Sequence, residues 1–284
     1  MVLALRQEVS ASVNWRSPIV KINGVELNVK TFGSGAPFIW GHGLMISMAI
    51  EDRSPWGLRW DQLAEVAKIV RYDARGHGLS EASARPEDYH WSRLAQDMLA
   101  VADQSGFERF VAGGQSMGCA TTIYAALAAP ERMRGLVLMN PPTAWETRAA
   151  QAGVYDQMAD IVEKHGVAAL ADLMARTPVA PQWQMQAYPT MTTDFLDAMR
   201  SVDPKTLVVV LRGAKLCNLP EREKLRALTM PALILAWVDD PGHPVSSAEE
   251  LKRLLPDSRL LIAKNVDEVN TWTQEIRDFI GQLP

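Results

Sequence analysis

Cysteine is almost missing from this 284-residue chain, which carries only Cys119 and Cys217. Two thiols cannot build a disulfide framework, and they suit small apolar packing positions in a reduced compartment, so a cytoplasmic protein is expected. No apolar run reaches the roughly 18 residues that a membrane helix requires, and Arg6 and Glu8 interrupt the N-terminal stretch. Neither a membrane span nor a signal peptide is therefore expected. A basic stripe is also lacking: 29 basic and 33 acidic residues are interspersed, for a net charge of -4. This excludes nucleic acid as an expected partner. There is no internal repeat, no low-complexity tract, no His-Glu-X-X-His, no phosphate loop and no Gly-X-Gly-X-X-Gly, so no metal and no cofactor are expected. A small-molecule substrate is the partner left, with the oligomeric state open. The length suits one α/β domain carrying an insertion, and such a chain buries about three quarters of its unfolded surface.

What is present centres on Phe110 to Ala120. Phe110 to Ala112 reads as a strand, Met117 to Ala129 as an Ala-rich helix, and between them stands Gly114-Gln115-Ser116-Met117-Gly118. A strand that turns at once into a helix forces its corner residue into a strained conformation, which small neighbours permit. The corner lifts Ser116 Oγ clear of the backbone, and the Met117 N–H opens the helix where a carbonyl oxygen would turn negative.

The rest of the chain frames this corner. Residues 1 to 17 read as a leader or partial strand. Ile19 to Ile22 and Val25 to Thr31 read as a hairpin about Asn23-Gly24. Short apolar strands at Pro37 to Trp40, Lys68 to Tyr72, Gly135 to Met139, Ala232 to Val238 and Arg259 to Ala263 alternate with helices at Trp91 to Ser105, Ser247 to Leu255 and Thr271 to Gln282. This alternation predicts a mostly parallel sheet with helices on both faces and ligands at the carboxyl ends of the strands. From Pro141 to about Thr229 helical patterns take over, among them Ala150 to His165, Val167 to Arg176 and Thr192 to Arg200. They predict a helical insertion.

The order of these pieces resembles the α/β-hydrolase superfamily across nearly the whole chain. Gly114 to Gly118 is similar to its nucleophile elbow, His42-Gly43 to its oxyanion loop, and Asp73-Ala74-Arg75-Gly76-His77-Gly78-Leu79-Ser80 to its Asp-X-Arg-Gly-X-Gly-X-Ser turn. The resemblance implies a hydrolase core at 1–140 and 229–284 with a helical cap at 141–228. It implies Leu44 as the second oxyanion donor beside Met117. His42 and His77 lie in these loops and read as residues whose hydrogen bonds brace glycine turns. The resemblance also implies an acid after the strand Ala232 to Val238, where Asp240 is favoured over its neighbour Asp239.

The chain departs from the family at the base. The loop after the last strand, Lys264 to Asn270, holds no histidine, and none follows His243. A serine hydroxyl is a poor nucleophile without a base in hydrogen-bond reach. His243, in Asp240-Pro241-Gly242-His243-Pro244, is the candidate replacement, and the prolines and glycine would hold that loop in one shape. With His243 as base, Asp240 stands too close in sequence to orient its far nitrogen, and Asp239 or Glu146 are alternative acids.

Three functions fit these residues. The first is a serine hydrolase acting on an ester, lactone or related apolar acyl compound, through Ser116, His243 and Asp240. The second is a small-molecule binder that has lost its base. The third is a lyase or carbon–carbon bond hydrolase, with Trp237 standing where the family usually has glycine. Trp145, Met158, Met174, Trp183, Met185, Tyr188 and Met191 would line an adaptable apolar pocket or form the core of the cap.

Overall fold

A computed structural model describes residues 18–53, 57–176, 180–240 and 242–284. The leader or strand expected within residues 1–17, and the stiffening role expected of Pro241, lie outside the described residues. The strands are β1 (Ile19–Ile22), β2 (Val25–Gly33), β3 (Ala36–Gly41), β4 (Ala67–Tyr72), β5 (Phe110–Gln115), β6 (Met133–Met139), β7 (Ala232–Trp237) and β8 (Ser258–Ala263). They form one sheet in the order β1-β2-β4-β3-β5-β6-β7-β8. The hairpin of β1 and β2 turns on Asn23 and Gly24, at φ 47° and 86°, and β2 runs antiparallel to β4. From β4 to β8 every neighbour is parallel.

The helices are α1 (Met48–Arg53), α2 (Trp60–Leu63), α3 (Trp91–Gln104), α4 (Met117–Ala128), α5 (Arg148–Met174), α6 (Gln182–Ala187), α7 (Met191–Arg200), α8 (Pro204–Lys215), α9 (Arg222–Leu225), α10 (Val245–Leu254), α11 (Val266–Asn270) and α12 (Trp272–Gln282). Helix α3 shows why these segments fold as they do. Trp91, Leu94, Ala95, Met98, Val101 and Ala102 recur at helical spacing and are all buried against the sheet, so one apolar stripe fixes both the helix and its docking face. With α4 and α10 it covers one face of the sheet. Helices α2 and α12 cover the other face, where Leu63, Trp272, Ile276 and Ile280 pack on Phe38, Val137, Leu233 and Trp237.

Helices α5 to α9 all lie between β6 and β7. The two helices expected at Ala150 to His165 and Val167 to Arg176 run on as α5, broken at Gly166 with φ 83° and ψ 170°. Helix α8 starts on Pro204, with Asp203 accepting from the Thr206 N–H at 2.9 Å, a start built to satisfy a free helix donor. Residues of α5, α7 and α8, including Met158, Leu170, Phe195 and Leu211, close on Ile46 and Ile50 in a cluster of their own. The segment Lys264 to Asn270 is not an open loop as expected. It winds into α11, because the Asn265 side chain caps the Glu268 N–H at 3.0 Å while Glu268 accepts from the Lys264 N–H at 2.8 Å.

Candidate active site

Strand β5 lies between β3 and β6, with Gly41 opposite Gly114 and Gln115 opposite Met139. That register brings the end of β3 alongside the corner at Ser116. Ser116 has φ 54° and ψ -109°, the strained conformation expected of the elbow, and its N–H is tied to the Met139 carbonyl at 3.0 Å. Both flanking glycines answer to one steric demand. A Cβ on Gly118 would overlap the Gly41 carbonyl oxygen, and one on Gly114 would overlap the Gly118 backbone and the same oxygen. The strain is thus held by three chain segments in close contact.

Met117 begins α4, so its N–H belongs to the first turn and has no acceptor within the helix. Leu44 lies in the turn that follows β3. The two histidines of this region brace the backbone. His42 Nε2 accepts from the Ala74 N–H at 2.9 Å, and its Nδ1 donates to the Gly43 carbonyl at 2.7 Å. In a trans peptide the N–H of residue 44 points away from that carbonyl, so the contact fixes the direction of the Leu44 N–H. A Cβ on Gly43 would stand 3.7 Å from Ser116 Cβ, which places this peptide beside the serine. His77 Nδ1 donates to the Arg75 carbonyl at 2.9 Å. Arg75 is itself buried in a two-pronged ion pair with Asp97, at 2.7 and 2.8 Å.

His243 Nε2 lies 2.7 Å from Ser116 Oγ, and His243 Nδ1 lies 2.8 Å from Asp240 Oδ2. Asp240, expected to stand too close in sequence to orient the far nitrogen, is brought to it by a turn. The His243 N–H donates to the Asp240 carbonyl at 3.1 Å, and the Gly242 N–H donates to Asp240 Oδ1 at 2.9 Å. Together they fold residues 240 and 243 back on each other. Asp240 Oδ2 also accepts from Trp237 Nε1 at 2.8 Å, a contact that sequence reasoning missed. Burial pushes the Asp240 carboxyl up, but the His243 charge and the donors from His243, Trp237 and Gly242 outweigh it, and the group titrates at about 2. It is an anion at neutral pH.

The alternative acids lie elsewhere. Asp239 is exposed, at φ 65°, and Glu146 is held by Arg222 at 2.7 and 3.0 Å on the surface. Cys119, one turn into α4, is buried and its thiol is pushed up by that burial, so it is no competing nucleophile. A cavity of about 600 Å³ opens nearby, lined by Ile46, Asp73, His77, Met199 and Leu207 among others, but neither Ser116 nor His243 borders it. Of the residues expected in the pocket, Met158 and Met191 are buried, and Trp183 packs edge-on against Trp237 at 6.4 Å between ring centres. Among the described residues no cluster of His, Cys, Asp or Glu fits a metal ion, and no helix is long and apolar enough to cross a membrane.

Comparison with known proteins gives a consistent picture. A family model described as the alpha/beta hydrolase fold matches residues 53–272. RutD of Agrobacterium fabrum, provisionally named a carbamate hydrolase, is 25% identical over 232 residues, covering 79% of this chain and 87% of its own. The 3-oxoadipate enol-lactonase 2 of Acinetobacter baylyi is also 25% identical, over 80% of each chain. The crystal structure of an enol-lactonase from Burkholderia xenovorans superposes with a TM-score of 0.78 at 21% identity, covering 93% of this chain and all of the other. At that identity the structural likeness speaks to the fold.

Proposed function

Because the chain belongs to the alpha/beta-hydrolase family, we propose that it is a serine hydrolase acting by acyl transfer on an ester, lactone or related small apolar acyl compound. One observation carries this reading: the unbroken path from Ser116 Oγ through the His243 ring to Asp240 Oδ2, with links of 2.7 and 2.8 Å. Ser116 Oγ attacks the acyl carbon while His243 Nε2 takes its proton. The Leu44 and Met117 N–H groups hold the oxygen that becomes negative, and loss of one such donor typically costs about 10²–10³ in rate. His243 then gives the proton to the leaving oxygen. Water, deprotonated by the same nitrogen, attacks the acyl-serine and frees the acid and Ser116. Asp240 holds Nδ1–H of the ring and faces the positive charge that forms on it.

The position of the base off the acid's own turn, in place of the segment after β8, is part of this proposal. So is the division into a core at 1–140 and 229–284 and a cap at 141–228, which the separate apolar cluster of α5, α7 and α8 supports. The names of the relatives favour this chemistry, since lactone and carbamate cleavage both start with attack on an acyl carbon. The reading of a binder without a base rested on the histidine-free stretch 264–270, and the contact between His243 and Ser116 favours turnover over it. The lyase reading leaned on Trp237, whose indole N–H is turned to Asp240. Turnover of a panel of p-nitrophenyl esters and lactones tests the proposal. We expect hydrolysis that disappears in Ser116→Ala, and equal activity in that variant would overturn the reading.

A further inference from the structure

An acid and a base carried on one four-residue turn lack the independent anchoring that two separate loops would give them. Something outside the turn must hold the carboxylate, or the pair would swing together away from the serine. Asp240 Oδ1 is engaged within the turn, by the Gly242 N–H at 2.9 Å. The contact from outside falls on Oδ2, where Trp237 Nε1 donates at 2.8 Å, on the oxygen that also meets His243 Nδ1 at 2.8 Å. A carboxylate oxygen has two lone-pair directions. With one of them occupied by the indole, the other is aimed at the imidazole.

The indole in turn cannot move freely. Trp237 is the last residue of β7 and 1% exposed. The Trp272 ring, on α12 just past α11, stacks on it with centres 5.6 Å apart and planes 4° apart, and Trp183 of α6 meets it edge-on at 85°. The part of the chain that follows β8 therefore reaches the turn through stacked rings.

We infer that Trp237 is a positioning residue of this enzyme: its indole N–H fixes the Asp240 carboxylate, and through it the His243 ring, in line with Ser116. The inference rests on the hydrolase reading above. Trp237→Phe keeps an aromatic ring to stack on Trp272 and removes the N–H. A hydrogen bond to a charged group is worth about tenfold or more in a rate that depends on it. With p-nitrophenyl acetate as substrate, kcat should fall about tenfold with KM nearly unchanged, and fluorophosphonate labelling of Ser116 should slow by the same factor.

Loss of a residue that only supports the fold would slow the wild-type and Asp240→Ala backgrounds alike. In an Asp240→Ala background the indole has no carboxylate to hold, so Trp237→Phe should there change the labelling rate less than twofold. An unaltered kcat in the single variant, or an equal tenfold loss in both backgrounds, would overturn the inference. Should Trp237→Phe fail to fold, exchange of the Trp237 indole proton, followed by NMR, replaces it. That proton should exchange slowly in the wild-type protein and at least tenfold faster in Asp240→Ala, and equal rates would overturn the inference. A wild-type protein that is not labelled at Ser116 defeats the hydrolase reading itself, whereas normal labelling with an unaffected Trp237→Phe defeats the role of Trp237 alone.

Discussion

His77 ties the stability of this fold to pH. Its Nδ1 donates to the Arg75 carbonyl, so the bare nitrogen is Nε2, which is buried and has no hydrogen-bond partner among the described residues. Burial, aided by the nearby His42 ring, pushes the His77 imidazole down from 6.5 to about 3. In the unfolded chain the same side chain takes up a proton below about 6.5, so protons favour unfolding. The contribution of His77 is fully present above pH 6.5 and is lost as pH falls towards 3. At pH 5 the loss is about 2 kcal/mol, from roughly 1.4 kcal/mol per unit over the interval. That is a large fraction of a typical domain stability of about 5–15 kcal/mol. Urea denaturation of the wild-type protein and of His77→Asn, at pH 7.5 and at pH 5, measures it. Asn keeps a donor for the Arg75 carbonyl and cannot titrate. Its stability should start lower at pH 7.5, from the lost ring, and should then fall by about 2 kcal/mol less than the wild type does. Equal losses in the two proteins would show that His77 does not carry this pH dependence.

Three further outcomes follow from packing. Asp97→Ala removes both hydrogen bonds from the buried Arg75 guanidinium to that carboxylate, both side chains being only 2% exposed, and leaves it Asp88 at 4.0 Å; it should cost about 3–5 kcal/mol in urea titration. A loss under 1 kcal/mol would mean that the pair is solvated. Gly118→Ala drives a methyl into the Gly41 carbonyl and should abolish fluorophosphonate labelling even where soluble protein is recovered, whereas wild-type labelling would show that the elbow yields without cost. Val269→His, which would return a histidine to the family's usual segment, should destabilise the protein and restore nothing to His243→Gln. Val269 is wholly buried, and Gly57 is pressed so closely on it that no Cβ would fit there. Recovered turnover in that double variant would contradict the packing.

The elbow was legible because its constraint is local. Small residues around Ser116, between an apolar strand and an Ala-rich helix, state the backbone geometry directly, whereas the pressure on Gly118 comes from Gly41 and only the sheet register reveals it. Asp240 and His243 were both readable as candidates, but their mutual contact was not. Sequence distance suggested that three residues are too few, and the closing hydrogen bonds of the turn reverse that, although Asp followed by Pro and Gly is itself a turn signal. Trp237 stood out as a large residue in place of glycine. Period-two alternation places it on the face of Leu233 and Leu235, but nothing in alternation tells where an indole N–H will point. Helix α11 was hidden by the family comparison, which implied a loop, even though Asn265 followed three residues later by Glu268 is the pattern of a helix start. Glu146 as a candidate acid failed for a plain reason: Arg222, distant in sequence, holds it at the surface.

Peptide mass spectrometry after fluorophosphonate treatment asks whether Ser116 is a nucleophile activated by His243. One adduct is expected, on Ser116, forming in the wild-type protein and slowed by several orders of magnitude in His243→Gln, with the fold of that variant intact by circular dichroism. An adduct that forms equally fast in His243→Gln would show that this histidine is not the base, and one that appears on another residue while Ser116 stays unmodified would show that Ser116 is not the nucleophile.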